Sequence, residues 1–157
     1  MKVLKWLDEN LESTLLVILS VLTVVVIFVQ VFMRYVLGSS LVWSEELARY
    51  AFIWLIYIGV SYGVKRQAHI SVDALSMVLN RTGKFILEFA ANIAFLAFAV
   101  ILTYFGYKVA IEVTRLSPAM GIPLMWVYLA PTVGFLLTTF RVLQRMSLQV
   151  KTFRTGE

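Results

Sequence analysis

Four long runs of apolar residues, separated by short charged links, constrain this chain more than any other feature. The first is Leu15 to Met33, interrupted only by Ser20, Thr23 and Gln30. The second is Tyr50 to Val64, the third Phe89 to Tyr107 and the fourth Pro123 to Phe140. Crossing the hydrocarbon layer takes about 20 helical residues, with a usual range of roughly 17–25. Runs one, three and four meet that alone, and run two meets it with its flanks. Strands of a membrane barrel alternate apolar and polar side chains over about 10 residues, and these runs do not alternate. The expectation is an all-α integral membrane protein, a single domain over 1–157, with spans near 14–36, 46–64, 85–113 and 123–142.

Charge placement sets the expected topology. Lys2, Lys5, Lys65, Arg66, Arg81, Lys84, Arg141, Arg145, Lys151 and Arg154 fall on the side of the termini; Arg34, Arg49, Lys108 and Arg115 fall on the other. Cytoplasmic loops carry the excess of Lys and Arg, so both termini are expected inside. The formal charge of +5 then reflects topology and contact with anionic membrane lipids, not nucleic acid. Tyr35, Trp43, Tyr50, Tyr104, Tyr107, Trp126 and Tyr128 gather at the opposite ends, as an aromatic belt does. The first run is too long for a signal peptide, and Asp8, Glu9 and Glu12 precede it. Residues 2–12, with Val3, Leu4, Leu7 and Leu11 on one side, predict a short amphipathic helix on the membrane surface. The link Lys65–Lys84 predicts a second at 71–80, N-capped by Ser71 with Asp73 near its positive end.

The octapeptide Trp43-Ser44-Glu45-Glu46-Leu47-Ala48-Arg49-Tyr50 crowds three charges at the mouth of run two. Ser44 is a good N-cap, and Glu45 and Glu46 then sit where the helix dipole favours negative charge. Arg49 can pair with either glutamate, four or three residues away. It also lies inside the length helix two needs to cross, where an unpaired arginine facing lipid costs a few kcal/mol. Two readings stand together: a self-satisfied helix start, and a polar anchor against another membrane subunit. Helix two also carries Gly59 and Gly63, a small-xxx-small spacing that permits close helix approach; packing within the chain is the simpler use. Arg34 reads as an end residue reaching for the interface. Arg34, Trp43, Glu45, Glu46, Arg49, Gly59 and Gly63 are the candidate partner-interface residues.

Other polar residues have plain structural readings. Lys84, Glu88 and Asn92 share one stripe of helix three, and pairing with Lys84 accounts for Glu88. Helical character without a breaker carries helix three to about Leu116, with Lys108, Glu112 and Arg115 spaced to pair on a solvated projection. Pro123 suits a first helical turn, and Pro131 with Gly134 suits a kink. The chain has no cysteine, which excludes disulfides, thiol catalysis and thiolate metal sites. Its single histidine, His69, cannot supply two haem ligands and has only Asp73 at ligand spacing. No phosphate-cradling loop, nucleophile motif or metalloprotease motif is present. The reading is no enzyme, with no cofactor or metal site.

From about Leu15 to Leu143 the chain resembles the small membrane subunit, DctQ-like, of tripartite ATP-independent periplasmic (TRAP) transporters. The likeness rests on Phe32-Met33-Arg34-Tyr35, on the octapeptide, and on Trp54 and Gly59. It continues with Lys65-Arg66-Gln67-Ala68-His69-Ile70-Ser71-Val72-Asp73 and with Gly121-Ile122-Pro123 through Tyr128 and Pro131. The resemblance implies a bacterial inner-membrane complex. A periplasmic binding protein captures a carboxylate such as sialic acid or a C4-dicarboxylate, and a large elevator-type membrane subunit binds sodium and substrate. The small subunit would be the static scaffold. Two other classes stand beside it. A stand-alone proton-coupled exporter would want a mid-depth carboxylate, and a redox-enzyme anchor would want haem-ligating histidines.

Overall fold

A computed structural model of the chain describes residues 2–66 and 80–155. Among the described residues four helices form: α1 (Lys2–Tyr35), α2 (Val42–Lys65), α3 (Arg81–Glu112) and α4 (Met125–Thr155). Each contains a stretch long and apolar enough to cross a membrane. At 1.5 Å per residue the 24 residues of α2 reach about 36 Å and the 34 of α1 about 51 Å, so α1 exceeds the roughly 30 Å hydrocarbon core.

The helices stand in a row. α1 packs on α2, α2 on α4, and α4 on α3. The outer members are consequently bare: only 6% of the apolar window of α1 and 6% of that of α3 is buried, against 28% for α2 and 39% for α4. Small side chains dominate what is buried, including Ala48, Ala51, Ala99, Ala110 and Ala130. They let backbones approach where the surrounding solvent supplies no hydrophobic drive. A glycine marks each crossing. A Cβ on Gly59 would lie 3.9 Å from Leu16 of α1, and one on Gly106 would lie 3.0 Å from Thr132 of α4. At Gly134 it would collide with Tyr57, 2.6 Å from its Cβ and 2.7 Å from its carbonyl oxygen. Beside that contact the Phe135 ring meets Tyr57 edge-on at 5.8 Å and Phe98 at 6.0 Å.

Several boundaries differ from the sequence expectation. Residues 2–12 are not a separate helix: nothing between Val3 and Thr14 breaks helical geometry, and α1 runs through them. The predicted helix at 71–80 lies outside the described residues except Asn80, the N-cap of α3. α2 begins at Val42 with Leu41, not Ser44, at the N-cap. α3 stops at Glu112 because Val113 turns extended (φ −82°, ψ 107°) into a link that folds back on itself. There Leu116 and Pro123 form a β-bridge, so Pro123 precedes α4 instead of opening it. Gly121, at φ 66°, makes the reversal. Pro131 lies inside α4, which continues through it. Between α1 and α2, Gly38 at φ 64° turns the chain and Ser39 N–H reaches the Met33 carbonyl at 3.0 Å.

Candidate partner interface

One end of the row carries both short links, and the octapeptide sits there. Gln30 of α1 organises the entry to α2. Its Oε1 accepts from Leu41 N–H at 3.0 Å, and its Nε2 donates to Ser40 Oγ at 3.0 Å. Ser44 is buried, with Oγ 2.7 Å from both Gln30 Oε1 and the Leu41 carbonyl, so its single proton serves either. A side chain from the preceding helix thus does part of what an N-cap does.

The two glutamates have parted roles. Arg49 pairs with Glu45 at 2.8 Å, and both side chains are exposed, at 64% and 76%. Glu46 faces inward and is 8% exposed. Its Oε2 accepts from the N–H groups of Ala119 and Met120 at 3.0 and 2.9 Å, while Oε1 accepts from Tyr50 OH. Three donors satisfy the carboxylate. Glu46 therefore fastens the α3–α4 link to α2, a contact across 73 residues of chain that spacing alone does not reveal. Trp43 and Arg34 are exposed, the latter with its guanidinium 5.9 Å from the Tyr35 ring centre. Gly59 faces α1 and Gly63 is half-buried. The seven candidate residues thus divide. Arg34, Trp43, Glu45 and Arg49 form an exposed group near one end, Glu46 and Gly59 are engaged within the chain, and Gly63 lies half-buried on α2.

The opposite end holds a cluster that the sequence reading missed. Glu12 of α1 is fully buried. Arg141 of α4 grips it bidentately with one edge of the guanidinium, Nε to Oε1 at 2.5 Å and Nη2 to Oε2 at 2.9 Å. Arg141 Nη1 also donates to the Asp8 carboxylate and, at 2.7 Å, to Gln144 Oε1. Lys65 of α2 donates to Glu12 Oε2 at 3.1 Å and to the carbonyls of Asp8 and Glu9. Two carboxylates and two cations sum to zero, so the cluster joins three helices without leaving a buried net charge. The available signal was geometric. Asp8 and Glu12 are one turn apart, and Lys65 and Arg141 are the first cations after runs two and four. Residues 2–12 stay helical partly because both carboxylates must face the same guanidinium.

Glu88 does not pair with Lys84. It accepts from Gln149 Nε2 at 3.1 Å, and Gln149 Oε1 accepts from Asn92 Nδ2 at 3.0 Å, a polar seam between α3 and α4. Lys108, Glu112 and Arg115 form no ion pair with one another: Arg115 lies beyond the end of α3, and Lys108 and Glu112, one turn apart on it, do not meet. His69 and its neighbours through Asp73 lie outside the described residues. Among the described residues no group of three or more His, Asp or Glu side chains could hold a metal.

Four apolar helices in an open row, stapled at both ends and bare on the outer members, define a multi-pass membrane protein built around packing surfaces. The chain belongs to the DctQ component of the tripartite ATP-independent periplasmic transporters, whose family profile matches residues 23–152. It is 30% identical to a putative TRAP transporter small permease protein of Haemophilus influenzae, covering 85% of this chain and 81% of that one. It is 26% identical to the sialic acid TRAP transporter small permease protein SiaQ of Vibrio cholerae, over 93% of this chain and 85% of that one. A third relative, the isethionate TRAP transporter permease protein DctMQ of Oleidesulfovibrio alaskensis, is 30% identical over 95% of this chain. The chain spans only 25% of that relative's length. The family makes this chain the small permease subunit of a TRAP transporter, a multi-pass inner-membrane protein.

Proposed function

We propose that the chain is the stationary scaffold of a sodium-driven importer of small organic anions, holding a large elevator-type membrane subunit in place. Sodium and substrate bind that partner, a periplasmic binding protein delivers the solute, and both termini of this chain face the cytoplasm. The observation that carries the reading is the bareness of α1 and α3 beside the inner pair. A row of helices stiffened at both ends offers wide apolar faces to another integral protein, and lipid covers what that protein leaves. The DctMQ relative supports it as well, since three quarters of its length lies beyond the part matched here, as fusion to a larger subunit requires. Relatives named for isethionate, sialic acid and C4-dicarboxylates all resemble this chain. Such chemically different solutes favour substrate choice outside the small subunit, with a carboxylate as the expected class.

The test is co-purification in mild detergent with affinity-tagged chain, followed by uptake in vesicles. A multi-span protein that accompanies the chain and takes up an organic anion only with a sodium gradient supports the reading. Anion accumulation by this chain alone overturns it. Arg49→Leu is expected to weaken co-purification without impairing insertion, because its guanidinium, exposed and paired only to the equally exposed Glu45, can also reach a partner.

A further inference from the structure

Between α3 and α4, at the end that carries the termini, a cleft of about 570 Å³ opens beside the Glu12–Arg141 cluster. This is within the size range of small-ligand sites. Its charged lining comprises Lys65, Lys84, Arg141 and Arg145 against Asp8 and Glu88. Counting Glu12 behind Arg141, four cations face three carboxylates, an excess of one positive charge. The excess is localised. Arg141 and Lys65 are taken up by Asp8 and Glu12, whereas Lys84 and Arg145 form no ion pair among the described residues. Glu88, the carboxylate nearest to them on α3, is held by Gln149.

The rest of the cleft is amphipathic. Phe85 stacks on Phe153 at 4.2 Å and on Phe89 at 5.6 Å, making an apolar wall. Leu148, on the rim, is 64% exposed, and Phe153, whose ring lines the cleft, is 39% exposed. The polar pocket therefore opens onto an uncovered apolar surface of α4. A free inorganic anion has no use for that surface; an amphiphile does. We propose that this cleft binds the phosphate headgroup of an anionic phospholipid, with Lys84 and Arg145 as the phosphate-contacting cations and the acyl chains lying along α3 and α4. A single negative headgroup charge matches the single excess positive charge. The site does not depend on the scaffold reading above, since it lies wholly within this chain.

The full chain in neutral detergent is titrated with phosphatidylglycerol or phosphatidylcholine, and bound lipid is counted by native mass spectrometry. Each basic residue near an anionic lipid surface contributes roughly fivefold in affinity, so losing both should cost on the order of 25-fold. Phosphatidylglycerol is expected to bind well above phosphatidylcholine, and Lys84→Gln with Arg145→Gln to erase that preference. Lys84→Arg with Arg145→Lys should keep it, as should Arg49→Gln at the far end. Equal binding of the two lipids, or a preference that survives the double glutamine variant, overturns the site. Displacement of phosphatidylglycerol by equimolar inorganic phosphate overturns the lipid as the source of the anion. Far-UV circular dichroism of the glutamine variant, expected unchanged, separates loss of the site from loss of the fold.

Discussion

Replacing Arg141 with leucine tests whether charge or grease fastens the ends of this row. The substitution removes both guanidinium contacts to Glu12 and leaves Lys65, at 3.1 Å, as the only cation among the described residues on a carboxylate that has no exposed surface. Stranding one partner of a buried pair costs about 3–5 kcal/mol. Lys65 remains, Asp8 is 48% exposed and Arg141 borders a cleft that admits water, so the loss should fall at the low end, about 3 kcal/mol. Glu12→Leu should cost less, about 2 kcal/mol, because Arg141 keeps Asp8 and Gln144. With both replaced by leucine no buried charge is stranded between them, and the total should stay near 2 kcal/mol, a coupling of about 3 kcal/mol. The readout is SDS-driven unfolding in detergent micelles followed by the fluorescence of the four tryptophans. Additive single losses, or an Arg141→Leu loss under about 1 kcal/mol, would refute the account.

Glu46→Ala removes the only side chain bonded to the N–H groups of Ala119 and Met120; hydrogen exchange at those amides should accelerate while the α2 amides stay protected, and unchanged exchange would count against the staple. Gly134→Ala must force α4 off Tyr57 of α2 and should cost about 1–3 kcal/mol, whereas Gly59→Ala meets Leu16 at an ordinary 3.9 Å and should cost less than about 0.5 kcal/mol. Equal costs would contradict the crossing. Because the chain has no cysteine, single replacements report topology cleanly. With both termini inside, Ser40→Cys should react with an impermeant maleimide on whole cells and Ser147→Cys should not; the reverse pattern inverts the orientation.

The four membrane-length helices were legible in the sequence, since each apolar run is a one-dimensional property of consecutive residues; a separate helix over 2–12 was not borne out. The site was legible only where partners are neighbours on one helix. Arg49–Glu45, four residues apart, is of that kind. Glu46 and Ala119, Glu88 and Gln149, and Glu12 and Arg141 are separated by 61 to 129 residues, and local spacing offered Glu88 a wrong partner in Lys84.

Hydropathy by itself determined that this chain builds four membrane-length helices, because any backbone in hydrocarbon must satisfy its own hydrogen bonds and helices do so locally. It could not determine their lateral order. In lipid every apolar face is solvated equally well, so the order α1–α2–α4–α3 is decided by where backbones fit closely and where charges find partners. Gly134 against Tyr57, Glu46 under the α3–α4 link and Arg141 on Glu12 make that decision. Such contacts exist only once the helices are side by side.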